Sequence, residues 1–179
     1  QPMPKPQATP PRKPPMRAFS RSLPMALLRA RESVMRHFRP SLRAHDLTEQ
    51  QWRILRALAG VDEIEVTELA RAAFLLGPSL SRILRDLETR KLIERRTPSD
   101  DLRRNILSIT KKGLRLIEAV APTSEAIYAE FTRRYGAAKL SDLHEMLHRL
   151  EECLAAMPVR DGDQTARPSR RRRSTAETS

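Results

Sequence analysis

The strongest constraint on this chain is a single switch of apolar period inside an otherwise helical pattern. Leu80, Ile83, Leu84 and Leu87 fall at i, i+3, i+4 and i+7, one stripe of a helix. Directly afterwards Ile93 to Thr97 and Arg104 to Ile109 read as two short strands, joined by Pro98-Ser99-Asp100-Asp101-Leu102-Arg103. Helical spacing resumes beyond Thr110. The pattern predicts a mainly α protein with one small β-hairpin.

The flanking helices have their own signals. The first is expected over about Leu23 to His45, with apolar Leu27, Leu28, Val34, Met35 and Phe38, and Pro40 should bend or break it. The second opens at Thr48, with Gln51 as capping-box partner, turns Trp52, Leu55, Leu58 and Ala59 inward, and stops at Gly60. The third opens at Thr67 and contains Leu69, Ala70, Ala73 and Phe74. Pro78, favoured at a first helical position, begins the fourth, which runs to about Lys91. Thr110 caps a fifth that reaches about Tyr135, with a kink at Pro122. Leu140 to Met157 forms the sixth, with Leu143, Met146, Leu147, Leu150 and Leu154 on its apolar stripe.

The net charge of +12 points to an anionic partner, nucleic acid or a membrane surface, but its placement matters. Residues 1–18 carry seven prolines and four basic residues without an acid, and are expected to be a disordered arm. Residues 158–179, with the run Arg170 to Arg173, are expected to be a disordered basic tail. Without these ends the folded part holds only +5, so a DNA-binding surface must be built from a few well-placed arginines. A lone Cys153 leaves no internal disulfide and fits a reducing compartment. With no apolar run near the ~20 residues of a membrane span, the expectation is a soluble, cytoplasmic protein with no membrane contact.

If the stripe of the fourth helix faces inward, Pro78, Arg82, Arg85, Asp86 and Thr89 face outward, with Ser79 and Ser81 at the flanks. Such a helix fits a major groove, where hydroxyls reach bases or phosphates and arginine bonds guanine bidentately. The competing reading is a solvated helix in which Arg82 and Asp86 simply pair. The hairpin favours DNA. Arg95 and Arg96 lie on its first strand, and its turn carries Asp101-Leu102-Arg103-Arg104. An arginine at a ribbon tip can enter a narrow minor groove, and Asp101 can hold Arg103 by a charge-assisted bond. Together these features predict a winged helix-turn-helix domain.

The segments Leu47-Thr48-Glu49-Gln50-Gln51-Trp52-Arg53-Ile54-Leu55, Thr67-Glu68-Leu69-Ala70, Pro78-Ser79-Leu80-Ser81-Arg82, Asp101-Leu102-Arg103-Arg104 and Thr110-Lys111-Lys112-Gly113 resemble the MarR family. Leu23-Pro24 and the opening of helix two resemble its branch of aromatic-acid catabolic repressors. The resemblance adds a helical dimerisation domain and implies a homodimer on a palindromic operator in double-stranded DNA. Residues 19–46 and 114–157 would supply the dimerisation helices, and 47–113 the DNA-binding lobe, including Thr67. Arg90-Lys91 stands where Arg-Gly is common before the wing. The resemblance also implies an effector pocket beside the first two helices. A small aromatic carboxylate there, hydroxyphenylacetate-like or hydroxypyridine-carboxylate-like, would draw on Arg21, Ser22, Met25, Arg29, His37, His45, Trp52 and Arg53. No cofactor or metal is expected, and no enzyme activity.

Two rival readings have weaker support. An architectural or RNA-binding protein would use the basic ends alone. A zinc protease would use His144-Glu145-Met146-Leu147-His148, an HExxH pattern, but no third ligand follows it. On an amphipathic helix these residues read as its polar face, and Cys153 reads as a packing residue.

Overall fold

In a computed structural model of the chain, the described residues are 18–75, 77–99, 101 and 103–158. The arm through residue 17 and the tail from 159 lie outside them, as do Leu76, Asp100 and Leu102 of the expected turns. A short 3-10 turn (Phe19–Arg21) leads into α1 (Leu23–Ala44), α2 (Glu49–Ala59), β1 (Ile64–Glu65), α3 (Val66–Ala72) and α4 (Gly77–Thr89). Then come β2 (Ile93–Arg96), β3 (Ile106–Ile109), α5 (Lys111–Tyr135) and α6 (Ala137–Ala155). Two compact units divide at Glu130/Phe131.

The first unit holds one core. Ile54, Leu55 and Leu58 of α2 meet Leu69 of α3, Leu80, Leu84 and Leu87 of α4, Leu107 of β3 and Val120 of α5, all buried. Each such side chain contributes ~1.5–3 kcal/mol of apolar burial, so the α4 stripe fixes which face that helix turns outward. In α2, Ile54 takes the inward place expected of Ala59, which is exposed. The buried face is set by Gln51, Ile54, Leu55 and Leu58 together, and Ala59 lies roughly 90° from its middle in the last turn of the helix.

Local chemistry at the helix ends is specific. The Thr48 hydroxyl accepts from the Gln51 amide at 3.2 Å, and the Gln51 side chain accepts from the Thr48 amide at 2.8 Å, completing the capping box. Three helices close in the same way. Leu47, Leu75 and Leu92 donate their amides to the carbonyls of Leu42, Ala70 and Leu87, five residues back, and the residue before each sits at positive φ. This is the Schellman closure, with a leucine placed to pack against its own helix. It forms here without glycine: Asp46, Phe74 and Lys91 take φ of 53, 50 and 58°. At Lys91 the turn into the hairpin therefore keeps its geometry although a lysine occupies the left-handed position, at a cost of roughly 1–2 kcal/mol.

Several boundaries differ from the sequence expectation. α3 starts at Val66 with Glu65 before it, so Thr67 lies in its first turn and does not cap it. α4 stops at Thr89, because the closure at Lys91 consumes the last turn. α1 and α5 both run through their prolines, Pro40 and Pro122. A proline deletes one backbone bond and crowds the preceding turn, but buried Phe38 and Leu42 flank Pro40, and buried Ile117 and Val120 precede Pro122. Packing on that scale outweighs the lost bond.

A strand absent from the sequence reading completes the sheet. β1 pairs with β3 through Ile64 opposite Leu107 and Glu65 opposite Ile106, giving the order β1-β3-β2, all antiparallel. Two residues carry no readable period, which is why only the hairpin was legible. Thr110 then ties the hairpin to α5: its hydroxyl donates to the Lys91 carbonyl at 2.8 Å and accepts from the Gly113 amide at 3.0 Å.

The second unit holds the end of α5 and α6, linked through Gly136 at φ 97°. No residue of α6 is buried within the chain. Met146, Leu154 and Met157 remain 60, 49 and 58% exposed.

Candidate DNA-reading face and effector pocket

α4 presents Pro78, Ser79, Ser81, Arg82, Arg85 and Asp86 on its exposed face. The Arg82–Asp86 pair of the competing, solvated-helix reading does not form among the described residues. Asp86 accepts from the Gln51 side-chain amide at 2.7 Å and stands 3.7 Å from Arg90. Gln51 thus joins the cap of α2 to the edge of the exposed face of α4. Among the described residues, neither Arg82 nor Arg85 has an ion-pair partner.

The hairpin arginines differ sharply among themselves. Arg103 at the turn is 93% exposed, and Asp101 accepts from its amide at 3.0 Å and from its Nε at 3.2 Å. The expected Asp101–Arg103 contact is therefore present and aims the guanidinium without burying it. Arg95, Arg96 and Arg104 are each engaged by a glutamate: Glu88 at 2.8 Å, Glu63 at 2.5 Å and Glu65 at 2.6 Å. The bond from Arg96 holds the Glu63 carboxyl below the usual carboxylate range. Glu63 and Glu65 lie at β1, so the strand without a sequence signature positions both. Thr67 is exposed in the first turn of α3.

A cavity of about 240 Å³ lies among α1, α2 and α5 in the first unit, walled by Arg31, Met35, Phe38, Glu49, Trp52, Arg53, Arg56, Ser124 and Tyr128, among others. It falls below the roughly 300–1,000 Å³ of sites for drug-sized ligands, so it suits a single ring. Phe38 and Tyr128 meet at 5.3 Å between ring centroids, and the Arg56 guanidinium lies 6.0 Å over the Trp52 ring. Glu49 is bonded by Arg31 and Arg39. Burial pushes its carboxyl upward, but the bonds from Arg39 and Arg31 outweigh that and hold it below the usual range. The lining also holds a second carboxylate, Glu125; with Glu49 ion-paired, Arg53 and Arg56 outnumber it and leave the cavity net positive, suited to an anion. Arg53 donates to the Ala73 carbonyl at the end of α3 at 2.8 Å, while its Nε is buried with no hydrogen-bond partner among the described residues.

Of the residues expected to contact an effector, Trp52 and Arg53 line this cavity. Arg21, Ser22, Met25 and Arg29 lie at the 3-10 turn and the start of α1, where Arg29 donates to the Ser20 carbonyl. His37 accepts from Arg36 at 3.4 Å, and His45 is 2.8 Å from the Ser41 carbonyl. Arg31, Met35, Arg56 and Tyr128 were missed. Arg56 was signalled by its i,i+4 spacing from Trp52, whereas Tyr128, more than 70 residues from Trp52, carried no local signal.

On α6 the HExxH residues pair along the helix: Arg149 donates to Glu145 at 2.7 Å and His148 lies 3.4 Å from Glu152. Among the described residues, no group of three or more His, Cys, Asp or Glu side chains is placed to hold a metal. Cys153 is exposed, contrary to a packing role within one chain. No helix of the described residues is long and apolar enough to cross a membrane.

A winged helix-turn-helix with an arginine-tipped wing defines a class of transcriptional regulators, and the comparisons narrow it. Residues 45–104 match the MarR family. The Escherichia coli homoprotocatechuate degradative operon repressor is 39% identical over 142 residues, covering 79% of this chain and 94% of the repressor. The crystal structure of NadR in complex with 4-hydroxyphenylacetate is 36% identical, with TM-score 0.67, over 76% of this chain and 96% of NadR. The repressor CouR, bound to a 23-mer DNA duplex, is 27% identical with TM-score 0.68, over 74% of this chain and 94% of CouR. The chain belongs to the MarR family of transcriptional regulators.

Proposed function

We propose that this protein is a cytoplasmic, homodimeric repressor of an operon for the breakdown of an aromatic compound. It binds a palindromic operator in double-stranded DNA and is released by a small aromatic acid. The observation that carries the reading is the exposed arginine face of α4 followed directly by the Asp101-held Arg103. Ser79, Ser81, Arg82 and Arg85 would meet base edges and phosphates of the major groove, Thr67 a phosphate, and Arg103 the adjacent minor groove. Residues 47–113 form the DNA-binding lobe, and 19–46 with 114–157 the dimerisation region. The exposed Met146, Leu154 and Met157 at this end of the chain support the dimer, since apolar surface left open in one chain gains from burial against a second copy. CouR on DNA and NadR with 4-hydroxyphenylacetate support the two ligands.

The effector would seat its ring against Trp52, Phe38 and Tyr128 and its carboxylate toward Arg56 and Arg53. Arg53 also reaches Ala73, one helix before α4, so a carboxylate that draws on this guanidinium acts where the two helix-turn-helix helices join. Release follows if the ligand-bound dimer no longer spaces its two α4 helices one DNA turn apart.

Trp52 is the only tryptophan, so its fluorescence reports the cavity directly. Titration with 4-hydroxyphenylacetate should quench it over the same range that lowers anisotropy on a labelled duplex from the region upstream of the chain's own gene. Unchanged fluorescence with this and other small aromatic acids would refute the pocket. Replacing Arg103 by Ala should weaken operator binding roughly tenfold or more, since a well-placed arginine contributes about 1–3 kcal/mol. Its melting temperature should stay within a degree or two of the parent, because the side chain is almost fully exposed. Parental affinity in that variant would remove the wing from the interface.

A further inference from the structure

The DNA-facing elements carry more arginines than they leave available. Arg95 and Arg96 on β2 and Arg104 before β3 are each gripped by a glutamate and are 32, 56 and 44% exposed, whereas Arg103, although bonded to Asp101, is 93% exposed, and Arg82 and Arg85 have no ion-pair partner among the described residues. Two of the grips are two-pronged: Arg95 to Glu88 at 2.8 and 3.1 Å, and Arg96 to Glu63 at 2.9 and 2.5 Å. Arg104 donates to Glu65 at 2.6 Å. Such surface pairs contribute little to folding, so stability does not account for three of them around one small sheet. Their electrostatic effect is larger. Each guanidinium that meets a phosphate adds affinity for any sequence, because phosphates are the same everywhere.

We propose that Glu63, Glu65 and Glu88 are specificity residues: they withhold Arg96, Arg104 and Arg95 from the phosphates of non-operator DNA. Recognition then falls to α4 and Arg103, which can tell one sequence from another. The inference rests on the DNA-binding reading above and goes beyond it by assigning a role to three acidic residues outside the DNA contacts proposed there.

Glutamine keeps the length of glutamate and a hydrogen-bond acceptor but removes the charge. Glu63→Gln, Glu65→Gln and Glu88→Gln should each raise affinity for a random duplex severalfold and steepen its salt dependence by about 0.9 for each further phosphate neutralised. Operator affinity should rise less, so the operator-to-random ratio falls. Glu68→Gln and Glu94→Gln, at exposed positions without an ion-pair partner among the described residues, remove the same charge without freeing an arginine. They should change random-duplex binding and its salt slope much less. Equal effects in both sets would reduce the result to bulk charge and overturn the proposal. So would an unchanged random-duplex affinity, or a loss of operator affinity in the three variants at parental melting temperature. A parent protein that binds operator and random duplex equally is a different outcome, and it would overturn the DNA-reading function itself.

Discussion

A variant carrying Leu150→Asp and Leu154→Asp is expected to sediment as a monomer and to lose operator binding. Both side chains lie on the apolar stripe of α6, a 19-residue helix that buries none of its residues within the chain. A helix whose apolar stripe is only partly covered by its own chain, with Leu143, Leu147 and Leu150 half-buried and Leu154 exposed, gains stability against another surface, since most helical stability in proteins comes from packing of the apolar face. An unpaired carboxylate buried there costs several kcal/mol, and the twofold axis would place two copies of each change in one interface. The first unit does not depend on α6 for its core, so the circular dichroism of the monomer should stay largely helical. Operator binding should fall with the dimer, because one lobe reads only half of a palindrome. Sedimentation velocity distinguishes the outcomes, and a stable dimer carrying both changes would move the interface elsewhere.

Gly113→Ala should lower the melting temperature by several degrees, up to about 8 °C. In an ordinary helix this change adds stability, by about 0.8–1.0 kcal/mol. Here a Cβ would lie 2.3 Å from the Leu92 carbonyl oxygen and 2.7 Å from Cγ1 of Ile109. The nearest atom is backbone, held in place because the Leu92 carbonyl also accepts from the Thr110 amide. It cannot rotate aside as a flexible side chain would. The cost of such overpacking, about 1–3 kcal/mol or more, exceeds the helical gain, and each kcal/mol moves the midpoint by about 2–4 °C at this size. Gly60→Ala is the matched control: its nearest contact would be 3.7 Å, so it should be tolerated. Equal melting behaviour in the two variants would mean that α5 does not seat on the hairpin base as described.

The same closeness explains why Thr110-Lys111-Lys112-Gly113 was legible without its reason. The motif marked a helix start, but only the fold shows the glycine admitting α5 to the base of the hairpin. Long periodic segments read correctly because burial repeats along them: the α4 stripe and the Thr48–Gln51 cap both appear where spacing placed them. Two kinds of feature were not legible. β1 is two residues long, too short to carry a period, yet it brings Glu63 and Glu65 to the arginines of the hairpin. The cavity joins Trp52 and Arg56 of α2 to Tyr128 of α5, a pairing set by packing between helices far apart in sequence. Positive φ at Phe74 and Lys91 was likewise hidden, because glycine, the usual marker of such positions, is absent from both.

The central claim is that α4 reads sequence, and comparison of operator with random DNA tests it most directly. Arg82→Ala and Arg85→Ala should be titrated against both duplexes at several salt concentrations, beside a variant lacking the Arg170 to Arg173 run. If either α4 arginine bonds a base edge, its loss should cost about 1–3 kcal/mol on the operator and much less on random DNA. Loss of the tail run should instead weaken both duplexes by a similar factor and flatten the salt dependence. Among the described residues Arg82 and Arg85 have no ion-pair partner, so their removal leaves no buried charge and little folding cost to confuse the comparison. The account predicts a selective loss on the operator for at least one of them. Equal losses on both duplexes for Arg82→Ala and Arg85→Ala, matching the tail variant, would contradict it.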